Sequence, residues 1–186
     1  MHVHAVASAR AALVLGHGAG GGVAAPDLVI ATQVANANGV TVALVEQPYR
    51  VAGRRSPAPA PQLDVAWRAV LEHLTTNELD GLRVITGGRS SGARVACRTA
   101  SVTGAIGVLC LAFPLRPPGR KDAPSRLDEL EAVTVPALVV QGAGDPFGMP
   151  PPGPTRTVVQ VAGNHSLRTD LQAVAAAIGD WLSRIV

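Results

Sequence analysis

"VITGGRSSGARVA", Val84 to Ala96, is the stretch on which the fold turns. Gly88-Arg89-Ser90-Ser91-Gly92 is a G-x-S-x-G pattern, preceded by a β-branched, strand-like run and followed by a helical one. That context puts Ser90 on a sharp strand-to-helix turn with its hydroxyl exposed. Gly88 and Gly92 flank it where side chains would collide with the neighbouring strand and helix. The start of the following helix places the Ser91 N–H where a developing oxyanion can accept a hydrogen bond.

A serine hydroxyl is a weak nucleophile until a base takes its proton. Of the five histidines, His2 and His4 lie near a terminus expected to be mobile, and His73 falls in a helix as a surface residue. His17 belongs to a glycine loop. His165, in "VQVAGNHSLRTD", follows the last strand candidate and precedes the last helix. The base needs an acid to hold its tautomer, and Asp145 in "ALVVQGAGDPFG" follows the penultimate strand. Asp170 is the alternative, placed instead in the final helix. The order Ser90, Asp145, His165 therefore sets each residue at the C-terminal end of its own strand.

The strand candidates are Ala11–Leu15, Thr41–Val45, Arg83–Thr86, Ala105–Ala112, Ala137–Gln141 and Thr157–Val161. They alternate with helical patterns, the mark of a mainly parallel α/β sheet. Leu63, Trp67, Val70, Leu71 and Leu74 make one helical face, and Leu171 to Ile185 carries a second stripe. Two Arg- and Pro-rich stretches, Tyr49–Pro61 and Phe113–Ser125, follow strand ends and are expected at the same edge of the sheet.

"LVLGHGAGGG", residues 13–22, admits two functions. Gly16, Gly18 and Gly21 satisfy the dinucleotide fingerprint G-x-G-x-x-G, and Glu46 at the end of the next strand would suit a ribose contact. A dinucleotide fold, however, starts its helix inside the motif. Here the expected start is Pro26-Asp27, several residues late. No Lys-Ser/Thr follows the glycines, which excludes a P-loop.

Composition narrows the classes further. The 186 residues are 47% hydrophobic with mean hydropathy +0.26, a balance that excludes global disorder. No apolar run is long enough to cross a bilayer. The N-terminus lacks a basic region ahead of its apolar stretch, so the expected location is cytoplasmic. The net charge of +3 comes with only 3% aromatics, too few stacking platforms for nucleic-acid binding. Cys97 and Cys110 are expected to be reduced packing residues. No Cys/His cluster has metal-ligand spacing, and neither metal nor organic cofactor is expected.

Taken with the triad order, "GHGAGGG" resembles the oxyanion loop of α/β-hydrolases, its His17-Gly18 being similar to the His-Gly signature of that family. The resemblance runs from about Ala11 to Val186. It is narrowest to the small, lidless dienelactone-hydrolase-like branch, including the testis-expressed and KANSL-type hydrolase-like proteins. What it implies is a single α/β-hydrolase domain with about six strands, helices on both faces, reduced N-terminal strands and no large cap. It also implies a serine esterase with Ser90, Asp145 and His165 catalytic and no cofactor. The Ala19 N–H would be the second oxyanion donor beside Ser91, with Gly20 the runner-up, and His17 would orient the loop. True dienelactone hydrolases use a cysteine nucleophile, so their substrate does not carry over to Ser90.

Arg50, Arg54, Arg55 and Arg89 would select an anionic ester if two of them face the pocket; otherwise they are solvated or paired with Asp64 and Glu46. Phe113, Leu115 and Phe147 are expected either to line an acyl pocket or to pack in the core. Two other functions stay open: a binding scaffold on a hydrolase fold, and a nucleotide-binding oxidoreductase. An intact triad weighs against the scaffold.

Overall fold

The computed structural model describes residues 1–120 and 122–186. Seven strands form one sheet: β1 (His2–His4), β2 (Ala11–Gly16), β3 (Val40–Val45), β4 (Val84–Arg89), β5 (Gly107–Leu111), β6 (Ala137–Gly142) and β7 (Arg156–Val161). Their order is β1-β3-β2-β4-β5-β6-β7. All neighbours run parallel except β1, which pairs antiparallel with β3 through His2↔Leu44 and His4↔Val42. The expected mobile terminus is thus an edge strand, and the count rises from six to seven.

The central strands read as unbroken apolar runs because both faces of the sheet are covered. Alternate residues part to opposite sides. Leu13, Leu15, Val42, Leu44, Leu109 and Leu111 pack with the helices α1 (Pro26–Ala37) and α6 (Leu171–Ile185). Ala12, Val14, Ala43 and Val45 meet α3 (Ala60–Thr76) through Leu63, Trp67 and Leu71, after the one-turn α2 (Pro48–Val51). Val108, Cys110 and Val139 meet α4 (Ser91–Thr99) and the short α5 (Leu127–Glu131). Pro26 opens α1 and Asp170 caps α6 by accepting from the Ala173 N–H at 2.9 Å.

Two features fix α4 against the sheet. Arg98 reaches Asp64 on α3, Nε to Oδ2 at 2.9 Å, and Arg94 reaches Glu129 on α5, Nε to Oε2 at 2.9 Å. Beneath them, three glycines bring backbone onto backbone. A Cβ at Gly88 or at Gly92 would run into the Gly16 carbonyl, and one at Gly16 would lie 3.3 Å from the Gly92 Cα. The chain leaves β2 for β3 on one side while β4 lies on the other, so the sheet has its topological switch point between β2 and β4. Crevices for ligands form at the carboxyl ends of strands flanking such a point. Among the described residues between Ala112 and Arg126 there is no helix or strand. No described helix is long and apolar enough to cross a membrane.

Candidate active site

Ser90 is the residue between β4 and α4, and its backbone stands at φ +52°, ψ −108°. A side chain pays steric strain in such a conformation, which only a well-determined surrounding can impose. Here the glycine interlock clamps one side, and the Ser90 N–H donates to the Leu111 carbonyl at 2.9 Å on the other. The hydroxyl is thereby held above the strand ends.

Its partner arrives from the far side of the sheet. Ser90 Oγ lies 2.9 Å from His165 Nε2, and His165 Nδ1 lies 2.8 Å from Asp145 Oδ2. With Asp145 ionised, Nδ1–H donates to the carboxylate and Nε2 is left to accept the serine proton. Asp145 comes from the turn after β6 and its side chain is 1% exposed, against 17% for His165. A buried carboxylate must be hydrogen-bonded. The Phe147 N–H donates to Oδ1 at 2.9 Å, and Gln141 Nε2 donates to Oδ2 at 2.8 Å. The same amide nitrogen reaches the Phe113 and Gly148 carbonyls at 3.1 and 2.8 Å. Gln141 thus ties the end of β6, the Asp145 turn and the exit of β5 together. Gly142 closes the arrangement, since a Cβ there would sit 2.5 Å from the Asn164 carbonyl, next to His165.

The glycine loop after β2 is organised by His17, which is fully buried. The Gln47 N–H donates to His17 Nε2 at 2.9 Å, so Nδ1 carries the proton and donates to the Gly18 carbonyl at 2.7 Å. Burial holds this imidazole below its ordinary pKa of 6.5, which keeps it neutral. Because a trans peptide is planar, pinning the Gly18 carbonyl onto His17 turns the Ala19 N–H away from the buried ring. The Gly21 N–H supports the same carbonyl at 3.2 Å, and Tyr49 Oη donates to the Ala19 carbonyl at 3.1 Å. No hydrogen bond among the described residues engages the Ala19 N–H. The Ser91 N–H, first in α4, has no intrahelical acceptor either.

Ser90 and His165 open into a cavity of about 410 Å³, bounded by Ala19, Gly20, Phe147, Ser166 and Arg168 among others. The Phe147 ring lies against the His165 imidazole, centroids 4.2 Å apart. The expected site residues divide on this wall. Arg54 and Arg55 border a different surface hollow with Tyr49 and Ser56. Arg50 is solvent-exposed and borders neither. Asp64 is paired, but with Arg98 and not with any of these arginines. Phe113 is fully buried in the core beneath α4, because Ala112 at φ +51° turns the chain as β5 ends; it lines no acyl pocket. Leu115 borders a separate hollow with Arg116 and Phe147. Arg89 does border the cavity, yet its guanidinium is engaged: Nε stands 2.9 Å from Asp27 Oδ2, and Nη2 donates to the His165 carbonyl at 2.9 Å.

Three contributors escaped the sequence. Gln141 carried a signal, a lone amide closing an apolar strand four residues before Asp145. Asp27 carried one too, as an acid at the start of α1 that is fully buried. Arg168 carried none beyond its place three residues after His165.

The family described as alpha/beta hydrolase domain matches residues 9–173. The comparison with curated proteins found no significant match. Among solved structures, the chain is similar to XC6422 from Xanthomonas campestris, described as an a/b serine hydrolase without lid. Identity is 19%, the TM-score 0.76, and coverage 96% of this chain and 84% of that one. Est1E from Butyrivibrio proteoclasticus, solved with ferulic acid bound, gives 15% identity, TM-score 0.78 and coverage of 99% and 94%. Dienelactone hydrolase from Anabaena variabilis gives 17%, 0.76, and 99% and 90%. At these identities the likeness is one of fold.

Proposed function

The chain belongs to the alpha/beta hydrolase domain family, and from that premise we propose that it is a serine esterase working through an acyl-enzyme. The observation that carries the proposal is the unbroken hydrogen-bonded chain Ser90–His165–Asp145, with Ser90 held at positive φ on the floor of a cavity.

In this mechanism Ser90 Oγ attacks the ester carbonyl while His165 Nε2 takes its proton. Asp145 accepts from Nδ1–H and stabilises the imidazolium without itself being protonated. The Ser91 and Ala19 N–H groups receive the oxyanion. Preorganised donors of this kind supply a large part of the rate, about 3–4 kcal/mol for a single donor. His165 then gives its proton to the leaving alcohol. Water repeats the sequence and frees the acid. Thioesters fall within the same chemistry.

The acyl group would lie in the cavity of about 410 Å³ beside Ser90. Arg168, exposed at its rim, favours an ester with a carboxylate, which a guanidinium binds bidentately. The test is intact-mass spectrometry after fluorophosphonate treatment. One adduct on the native protein, absent from Ser90→Ala, is the expected result, followed by turnover of short-chain esters. A folded native protein that takes no adduct would refute the proposal and favour the scaffold function.

A further inference from the structure

Arg89 sits at the crossing of three loops. Through Nε it meets Asp27, fully buried at the start of α1. Through Nη2 it holds the main-chain carbonyl of His165. Its Nη1 packs so closely under the glycine loop that a Cβ on Gly18 would lie 2.7 Å away. Its own backbone ends β4, one residue before Ser90. We propose that Arg89 is a positioning residue: anchored on Asp27, its guanidinium holds the His165 main chain so that Nε2 stays in register with Ser90 Oγ.

Two further points support this role over substrate binding or stability. Nε and Nη2 each meet a protein acceptor, and Nη1 lies under the glycine loop, so the guanidinium is held in place by the fold itself and not by a ligand. Burial raises the Asp27 carboxyl above its ordinary pKa despite the adjacent Arg89. Desolvation therefore outweighs the attraction, and a buried pair of this kind is weak support for stability. What the pair supplies is geometry. A planar fork can serve a carboxylate and a carbonyl at once; a lysine ammonium cannot do so with the same fixed spacing.

The inference rests on the serine-esterase reading, and the experiment separates the two. Rates of fluorophosphonate labelling and kcat and KM on one neutral and one anionic ester are measured for the native protein, Arg89→Met, Arg89→Lys and Asp27→Asn. The low-field proton resonance of His165 Nδ1–H is recorded alongside. Arg89→Met is expected to slow labelling at least about tenfold, since displacement near 1 Å can cost about a hundredfold. kcat should fall alike on both esters with KM little changed, and the His165 resonance should broaden or vanish. Arg89→Lys should recover only part of the rate. Asp27→Asn should act in the same direction, and its combination with Arg89→Met should be no worse than Arg89→Met alone.

Native labelling rates in folded Arg89→Met, or a loss confined to KM for the anionic ester, would overturn the proposal. A native protein that does not label refutes the esterase reading instead, and the His165 resonance then decides the positioning role. Should Arg89→Met fail to fold, Arg89→Lys and Asp27→Asn carry the same test.

Discussion

Replacing Gly92 by alanine probes the contact on which the whole site stands. The new methyl would run into the Gly16 carbonyl oxygen, with the Gly16 carbonyl carbon at 2.5 Å and its Cα at 3.0 Å. Carbon atoms rest at about 3.5–4.0 Å, so the shortfall at the carbonyl carbon is about 1 Å or more. None of these atoms can turn aside, because all belong to the backbone of β2 in the centre of the sheet. The helix α4 must lift instead, carrying Ser91 and Ser90 with it. Overpacking of this kind costs about 1–3 kcal/mol, and a 1 Å misplacement of reacting groups costs about a hundredfold in rate. Urea unfolding gives the first quantity and the fluorophosphonate labelling rate the second. Gly20→Ala is the control: a Cβ there meets nothing within 4 Å, so stability should stay within about 0.5 kcal/mol. Gly92→Ala with native stability and native labelling would refute the interlock.

The strain at Ser90 should be visible as stability. Ser90→Gly, which removes the side chain from a φ of +52°, is expected to stabilise the fold by about 1 kcal/mol while abolishing labelling, read by denaturant unfolding. Gln141→Leu leaves Asp145 and two carbonyls short of a buried donor; it should cost about 1–3 kcal/mol and lower kcat more than it raises KM. His17 gives a pH signature. Its folded pKa is lowered from 6.5 by burial, so the unfolded chain binds the proton more readily than the folded one. Stability contributed by this group is complete above 6.5 and is lost as pH falls toward the lowered folded value. His17→Gln should flatten that part of a stability–pH curve. Phe113→Ala should cost about 3–5 kcal/mol in urea unfolding, as a core residue, and leave labelling of the folded fraction near native.

How much of this was legible in the sequence depended on how far each relation reaches along the chain. The six long strands announced themselves by apolar runs, and α1 by Pro26. G-x-S-x-G could be read because its neighbours are local: a strand before, a helix after. β1 could not, since three residues show no alternation and its pairing with β3 is a tertiary fact. The four arginines looked alike in sequence. What separates them is a buried partner on α1, met by Arg89 alone of the four. Phe113 and Phe147 both follow strands by a few residues. Only the turn at Ala112 decides that the first drops into the core while the second lies over His165.

The floor and the rim of the cavity differ in their freedom to change. At Gly88 and Gly92 a Cβ would strike main chain, and at Gly16 it would crowd the Gly92 backbone and the Trp67 and Gln47 side chains, whereas around Gly20, Gly21 and Gly22 a Cβ meets nothing closer than 4.0 Å. Of these, Gly20 and Gly21 border the cavity, so side chains grafted there have room without compensating changes below. A library confined to those two positions would vary what enters the site while the interlock underneath stays constant.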